Sequence, residues 1–217
     1  MIDENQVESV KVILIGNSGV GKTSIINQYI SGQFNPSSQT TIGVYSSNSF
    51  IKCEDGKVIG LKIWDTAGQE RYRSMSKSFF QNSQVVILVY DITDESSFDE
   101  IKNDWYPSAK QEAKENAIMV LVGNKEDLVG DDNDREKVNE DTARKYAKKI
   151  NALYFRISAK SNEKIVDLFE QIVKKYRGKK VVKTLQKEEY EEYQKMQKNS
   201  TQLDAKGMNK ANKKNCC

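Results

Sequence analysis

The sequence contains no histidine, and this absence excludes several kinds of catalytic and metal site. Ser-His-Asp and Cys-His catalysis both need an imidazole, as do histidine-ligated metal sites. Only three cysteines occur, Cys53, Cys216 and Cys217, so no disulfide framework is expected and a reducing compartment is indicated. A hard cation held by oxygen ligands is the kind of metal site that remains.

Long apolar runs are also absent. The longest one, residues 85–90, has six residues, whereas a transmembrane helix needs about 18 or more. The first nine residues are polar and acidic, so no signal peptide is predicted. Residues 1–177 carry 24 basic and 26 acidic side chains, so this part of the chain is not a nucleic-acid binder by composition.

What the sequence does contain is a regular alternation of short apolar runs with amphipathic segments. Strands are predicted at 10–16, 49–52, 58–64, 85–90, 118–122 and 153–157, and helices at 22–31, 96–115, 138–150 and 165–176. Asp55-Gly56 is a hairpin signal that asks for positive φ at both residues, and Pro107 is expected to kink its helix. The pattern indicates an α/β fold with a mostly parallel six-stranded sheet, one antiparallel edge strand, and helices on both faces.

The alternation stops near Gly178, which predicts a domain over 1–177 and a tail over 178–217. The tail holds ten lysines and five acidic residues, and its low apolar content predicts a largely disordered segment. Its scattered lysines suit either a solvated linker or contact with an anionic surface. Within the tail, 185–198 has an apolar stripe that suits a partial helix.

The segment GNSGVGKT, residues 16–23, fits the phosphate-binding pattern G-x-x-x-x-G-K-[ST]. Its glycines let backbone N–H groups face a phosphate, and the start of the following helix adds partial positive charge. Lys22 can bridge the outer phosphates, and Thr23 Oγ1 can ligate Mg²⁺. The alternative is a glycine-rich turn that matches by chance, which the predicted strand before it and helix after it argue against.

WDTAGQE, residues 64–70, follows a second strand and suits a terminal phosphate with its metal. Asp65 can hold Mg²⁺ through water, Gly68 can bring a backbone N–H to the phosphate, and Gln69 can orient an attacking water. Alone, such a segment is usually just a turn. Its place after a phosphate loop makes the chemistry specific.

Two further motifs suit a guanine base. In NKED, residues 124–127, Asp127 can accept two hydrogen bonds from guanine, and adenine has no such pair of donors. The stem of Lys125 can lie over the base, and Asn124 can tie this loop to the phosphate loop. In SAK, residues 158–160, backbone N–H groups can reach the guanine carbonyl. Because ligands bind beyond the carboxyl ends of strands in such sheets, all four motifs are expected at one rim.

In their order, the phosphate loop, Thr41 before Ile42-Gly43, WDTAGQE, NKED and SAK resemble Ras-like small GTPases over about residues 10–176. WDTAGQERYRS and YDIT resemble the Rab branch. The resemblance implies a P-loop small-GTPase fold that binds GTP or GDP with Mg²⁺, Gln69 as the catalytic residue, and switches around 39–45 and 68–79. It implies nucleotide contacts from Gly16, Ser18, Gly19, Val20, Gly21, Lys22, Thr23, Ser24, Phe34, Thr41, Gly68, Asn124, Lys125, Asp127, Ser158, Ala159 and Lys160. It implies metal contacts from Thr23, Thr41 and Asp65.

The resemblance also implies a function: slow GTP hydrolysis that switches effector recruitment in vesicle and membrane trafficking. Expected partners are an exchange factor, a GTPase-activating protein, a GDP-dissociation inhibitor and effectors, with no nucleic acid, and the chain is expected to be a monomer. The alternatives are a GTPase of another signalling branch, a nucleotide-binding module without turnover, and a P-loop ATPase or nucleotide kinase. Asp127 argues against the last of these, and Gln69 with Thr41 argues against the second.

Some positions depart from the Rab pattern, although the expected nucleotide contacts are intact. Tyr45 and Ser46 replace an acid and an aromatic residue. FFQNS at 79–83 replaces YYRGA, and RISAK at 156–160 replaces ETSAK. These changes alter the surface on which effectors are expected to read the switches.

The adjacent cysteines Cys216 and Cys217 resemble the double-geranylgeranyl signal of Rab proteins. A C-a-a-X box would need cysteine where Lys214 stands. Two lipid chains add their burial at about 0.8 kcal/mol per CH₂, which gives stable anchoring where one chain does not. The expected place is the cytosolic face of intracellular membranes, with a soluble cytosolic pool and a tether spanning roughly 35 Å. The alternative is a pair of unmodified exposed thiols.

Overall fold

The structure is a computed structural model that describes residues 7–36, 41, 44–66, 79–129, 135–178, 180–186 and 188–196. Its strands are β1 (Glu8–Ile15), β2 (Val44–Cys53), β3 (Val58–Thr66), β4 (Val85–Asp91), β5 (Ile118–Asn124), β6 (Leu153–Arg156) and β7 (Val181–Leu185). Its helices are α1 (Lys22–Ser31), α2 (Glu95–Glu100), α3 (Tyr106–Glu112), α4 (Glu140–Lys149) and α5 (Ile165–Arg177). Residues 188–196 are also helical. Within these ranges no helix is both long enough and apolar enough to span a lipid bilayer.

The strands form one sheet in the order β6-β5-β4-β1-β3-β2-β7. Pairing is parallel from β6 to β3, whereas β2 is antiparallel to both of its neighbours. The predicted α/β fold with a mostly parallel sheet and an antiparallel edge is therefore confirmed. Parallel pairing brings the carboxyl ends of these five strands to the same rim, where ligands bind in such folds.

The central strands are buried on both faces, which explains their unbroken apolar sequences. All seven residues of β4 are buried. Successive residues of β1 alternate between two cores: Val12 and Leu14 pack with α1 and α5, whereas Ile13 and Ile15 pack against the side that carries Phe98 of α2. The sheet is thus a rigid middle layer that fixes the loops at its rim.

The helix predicted around Pro107 is interrupted by a π-helical segment, Ile101–Trp105. There the Tyr106 N–H donates to the carbonyl of Ile101, five residues back. Pro107, which has no N–H, then occupies the first turn of α3, where it is tolerated. The wide turn keeps the helix continuous and sets the position of Trp105.

The hairpin between β2 and β3 forms at the predicted place with a different turn. Only Gly56 has positive φ, at 78°, and Asp55 does not. The Gly56 N–H donates to the Cys53 carbonyl, and the Cys53 N–H donates to the Lys57 carbonyl. A three-residue loop that ends on a left-handed glycine needs only one positive φ, unlike the two-residue turn that the sequence predicts.

The sheet has seven strands among the described residues, so the prediction of six is one short. The additional strand, β7, pairs with β2, with Leu185 opposite Phe50. Tyr190 then stacks on Phe50, with 3.4 Å between the ring centroids. This strand lies in the segment predicted as a tail, where five residues of mixed polarity carry little local signal. That 178–217 acts as a flexible tether stays a prediction, and its last 21 residues, 197–217, lie outside the described part.

Candidate functional site

The phosphate loop lies between β1 and α1, and its glycines permit contacts that no side chain would allow. A Cβ at Gly16 would lie 2.1 Å from the carbonyl oxygen of Val89, and one at Gly21 would lie 2.3 Å from Asn124 Nδ2. Both glycines also have positive φ, at 143° and 96°. The loop is therefore packed closely against the ends of β4 and β5.

Lys22 lies inside this loop, with 5% of its surface exposed. Its Nζ donates to the carbonyl oxygens of Gly16, at 2.8 Å, and Asn17, at 2.7 Å. Burial lowers the pKa of Lys22 to about 8, although the nearby carboxylate of Asp65 acts in the opposite direction. The ammonium group is thus held at the loop with few compensating charges, an arrangement that favours an anionic ligand.

Thr23, Thr41 and Asp65 bring three oxygen atoms together at the start of α1. Thr23 Oγ1 donates to Asp65 Oδ2 at 2.7 Å and lies 2.7 Å from Thr41 Oγ1. Thr41 Oγ1 lies 3.5 Å from the same carboxylate oxygen. Burial raises the pKa of Asp65, opposed by the threonine hydrogen bonds and by Lys22. This is a compact group of hydroxyl and carboxylate ligands beside the lysine.

These oxygen atoms fit a magnesium ion. Mg²⁺ prefers one or two protein oxygen ligands together with water and substrate phosphates. Asp65 Oδ1 is buried and makes no hydrogen bond to the residues that the structure describes. A buried carboxylate oxygen without a partner is costly, and a hydrated cation would satisfy it.

Asn124, at the end of β5, joins three of the motifs. Its Nδ2 donates to the Val20 carbonyl of the phosphate loop at 2.8 Å, and its Oδ1 accepts from the Ala159 N–H at 3.1 Å. The residue is 2% exposed. One amide group, with both ends used, therefore holds the NKED, SAK and phosphate loops in a common arrangement.

Asp127 lies in the short 3₁₀ turn Glu126–Leu128, next to the SAK motif. Ser158 Oγ donates to its Oδ1 at 2.6 Å, and Lys160 Nζ lies 3.8 Å from its Oδ2. The Ser158 hydroxyl also accepts from the Ser161 N–H, so its direction is set. The carboxylate is consequently oriented before any ligand arrives.

The remaining predicted residues divide into those that the structure describes and those that it does not. Ser18 and Gly19 are exposed in the phosphate loop, Ser24 is half-buried in the first turn of α1, and Phe34 is half-buried after α1. Gly68, Gln69, Cys216 and Cys217 lie outside the described residues. Their predicted roles stay predictions.

Two contacts at this rim were not anticipated from the sequence. Trp105 Nε1 donates to Asn17 Oδ1 at 2.9 Å, which fastens the phosphate loop to the π-helical segment. Lys125, which has φ of 72°, places its Nζ 2.7 Å from Asp91 Oδ2 at the end of β4. In each contact the two residues are far apart in sequence, so no local pattern could pair them. The helix predicted over 96–115 gave no indication that the Trp105 indole would reach the phosphate loop.

Comparison with known proteins agrees with this geometry. The model of the Ras family matches residues 11–178. The chain is 37% identical over 163 residues to the Ras-related protein SEC4 of Candida albicans, covering 75% of each protein. It is 39% identical over 188 residues to the Ras-related protein RabJ of Dictyostelium discoideum, covering 87% of this chain and 69% of RabJ. It is 39% identical over 165 residues to the Ras-related protein RAB1BV of Beta vulgaris, covering 76% of this chain and 74% of RAB1BV. The chain therefore belongs to the Ras family and, within it, to the Rab group of small GTPases.

Proposed function

We propose that this protein is a lipid-anchored switch that binds GTP with Mg²⁺, hydrolyses it slowly to GDP, and recruits effectors in vesicle transport while GTP is bound. The observation that carries the proposal is the double contact of Asn124 with the phosphate loop and the SAK motif. It brings groups suited to a base and groups suited to phosphates to one rim. Binding of guanine nucleotide and Mg²⁺, and GTP hydrolysis, are properties of this family, which supports the assignment.

Base selection rests on Asp127. A carboxylate accepts hydrogen bonds at both oxygens, and guanine offers the ring N1–H and the 2-amino group as a matching pair. Ser158 orients the carboxylate by donating to Oδ1. Lys125 is held at its ammonium end by Asp91, which leaves its aliphatic stem to cover the base.

Phosphate binding rests on Lys22 and the backbone of the phosphate loop. The Lys22 ammonium exchanges its carbonyl partners for phosphate oxygens. Their negative charge stabilises the ammonium group, which burial has deprived of water. Mg²⁺, when bound, neutralises charge on the phosphate oxygens. Thr23, Thr41 and Asp65 are the side chains proposed to hold it.

Hydrolysis rests on Gln69, proposed to orient a water for attack on the terminal phosphate. Lys22 and backbone N–H groups stabilise the charge that develops in the transition state. We assign no arginine of this chain to the stabilisation of that charge. We therefore expect slow hydrolysis by the protein alone and an acceleration by a factor of about 10³–10⁵ with an activating protein. Thr41 and Gly68 contact the terminal phosphate in this proposal, so its loss releases both switches and the effectors that read them.

Single-turnover phosphate release tests the enzymatic part. We expect wild-type protein with Mg²⁺ to release phosphate slowly from GTP and to show no binding competition from equimolar ATP. Gln69→Leu should bind GTP equally well and release phosphate at least about tenfold more slowly, because leucine cannot orient the attacking water by a hydrogen bond. Equal release by both proteins would remove the role of Gln69 and favour a binding module without turnover. Effective competition by ATP would refute the guanine assignment.

Mass spectrometry of the C-terminus tests the anchor. Protein purified from a eukaryotic host is expected to carry two geranylgeranyl groups, on Cys216 and Cys217, and to sediment with membranes. The double replacement of both cysteines by serine should bind nucleotide normally and remain in the supernatant, because the lipid burial is lost. Unmodified thiols on membrane-bound wild-type protein would contradict the proposal.

A further inference from the structure

Arg156 is a charged residue at the end of β6 with only 12% of its side chain exposed. Three carboxylates surround its guanidinium. Nη1 lies 2.8 Å from Glu136 Oε1 and 3.9 Å from Glu140 Oε2, and Nε lies 3.2 Å from Glu126 Oε1. The contact of Nη1 with Glu136 is a hydrogen bond, whereas Nε makes none to the described residues, so its contact with Glu126 is an ion pair. Removing one partner of a buried ion pair is costly, because it leaves a buried charge uncompensated. The cluster therefore fixes the relative position of the segments that supply these carboxylates.

One of these segments is the turn that reads the base. Glu126 is the residue immediately before Asp127 and lies in the same 3₁₀ turn. Its backbone N–H donates to the Ile157 carbonyl at 3.1 Å, one residue beyond Arg156. The end of β6 thus holds this turn twice, through the main chain and through the guanidinium.

The other carboxylates provide a fixed anchor. Glu136 is 14% exposed and precedes Lys137 and Val138, whose N–H groups both donate to the Ile92 carbonyl beyond β4. Lys164 also lies 3.5 Å from Glu126, but 55% of its side chain is exposed, so solvent weakens this contact. Of the two cations that contact the Glu126 side chain among the described residues, Arg156 is consequently the less screened by solvent, and it is the one that also bonds Glu136.

We propose that Arg156 is a positioning residue for base recognition: through Glu126 it holds the turn that carries Asp127 where the carboxylate reaches the 2-amino group of guanine. This role rests on the proposed function of Asp127. Without the guanidinium, Glu126 and Glu136 are two partly buried carboxylates with no shared cation. Their repulsion and hydration move the Glu126 turn outward, and Asp127 moves with it.

Dissociation of GDP and of IDP, which lacks the 2-amino group, tests this role. For Arg156→Gln we expect GDP to dissociate about fivefold faster, the size of a typical coupling between contacting residues. IDP dissociation should change less, so the ratio of the two rates moves toward one. Arg177→Gln is the matched control, because Arg177 is similarly shielded, with 18% of its side chain exposed, and pairs with Glu8 and Asp55, which take no part in this cluster. It should leave both rates unchanged.

A double-mutant cycle separates positioning from simple stabilisation. Glu126→Gln should reproduce the change in the GDP-to-IDP ratio, and adding it to Arg156→Gln should have little further effect. Arg156→Lys, which keeps the charge but not the planar geometry, should restore part of the ratio. Glu126→Gln also provides the test if Arg156→Gln fails to fold, since Glu126 is more exposed, at 26%.

Two results would overturn the role of Arg156. One is acceleration of GDP and IDP dissociation by the same factor, which a loss of general stability would produce. The other is additive effects of the Arg156 and Glu126 substitutions. A wild-type protein that holds GDP no longer than IDP would instead refute the proposed role of Asp127, so the two failures are distinguishable.

Discussion

Asp127→Asn is expected to weaken GDP binding by on the order of 10²–10³ and to create a preference for xanthosine diphosphate. The loss corresponds to about 3–4 kcal/mol, the range expected when charge-assisted hydrogen bonds to two base donors are replaced by one neutral bond and one donor–donor contact. Xanthine carries a 2-oxo group in place of the 2-amino group. An amide N–H can donate to that oxygen, so the same substitution that repels guanine accommodates xanthine.

The structure determines how the substituted amide would face the base. Ser158 Oγ donates to Asp127 Oδ1, and an asparagine Oδ1 can keep this hydrogen bond. Its Nδ2 then takes the position of Oδ2, the oxygen that faces Lys160 at 3.8 Å. Calorimetric titration of GDP and xanthosine diphosphate measures both affinities. Asp141→Asn, on an exposed position of α4, is the control. An unchanged preference for GDP would show that Asp127 does not read the base.

Lys22→Met is expected to lower the affinity for GDP and GTP by on the order of 10² or more, because a charged hydrogen-bond donor to the outer phosphates is lost.

The free energy of unfolding of the nucleotide-free protein should change only slightly in this variant. Burial lowers the pKa of Lys22 to about 8, so the charged form is disfavoured there, and methionine relieves this penalty. The carbonyl oxygens of Gly16 and Asn17 lose their donor, which acts in the opposite direction. We expect a net change in unfolding free energy of about 1 kcal/mol or less.

Guanosine monophosphate gives the decisive comparison for Lys22. It lacks the outer phosphates, so its affinity should fall far less than that of GDP in the Lys22→Met protein. Lys149→Met, at an exposed position near the end of α4, should affect neither ligand. Equal losses for the mono- and diphosphate would mean that Lys22 acts on the loop structure and not on the outer phosphates. Thermal unfolding of the nucleotide-free proteins gives the second measurement.

Much of the candidate site was predictable because each motif follows a strand whose own sequence identifies it. The all-buried run of β4 and the helical spacing of α5 gave the layer order, and the motif order then placed Lys22, Asn124, Asp127 and Ser158 at one rim. The nucleotide and metal contacts of all these residues stay predictions, and four of the predicted residues also lie outside the described part of the chain. The catalytic role of Gln69, the phosphate contact of Gly68, and the lipid anchors at Cys216 and Cys217 remain predictions.

The chain's local patterns determined the α/β class, the helices and the family motifs, since these depend on residues a few positions apart. Only the tertiary structure decided the seventh strand, the Trp105–Asn17 and Lys125–Asp91 contacts, and the carboxylates around Arg156. These join groups distant in sequence, and their stability depends on burial that no single segment creates. Arg156 illustrates the difference. Its place before SAK in the sequence does not identify its partners, whereas the tertiary structure buries it beside Glu126, in the turn that carries Asp127, and beside Glu136.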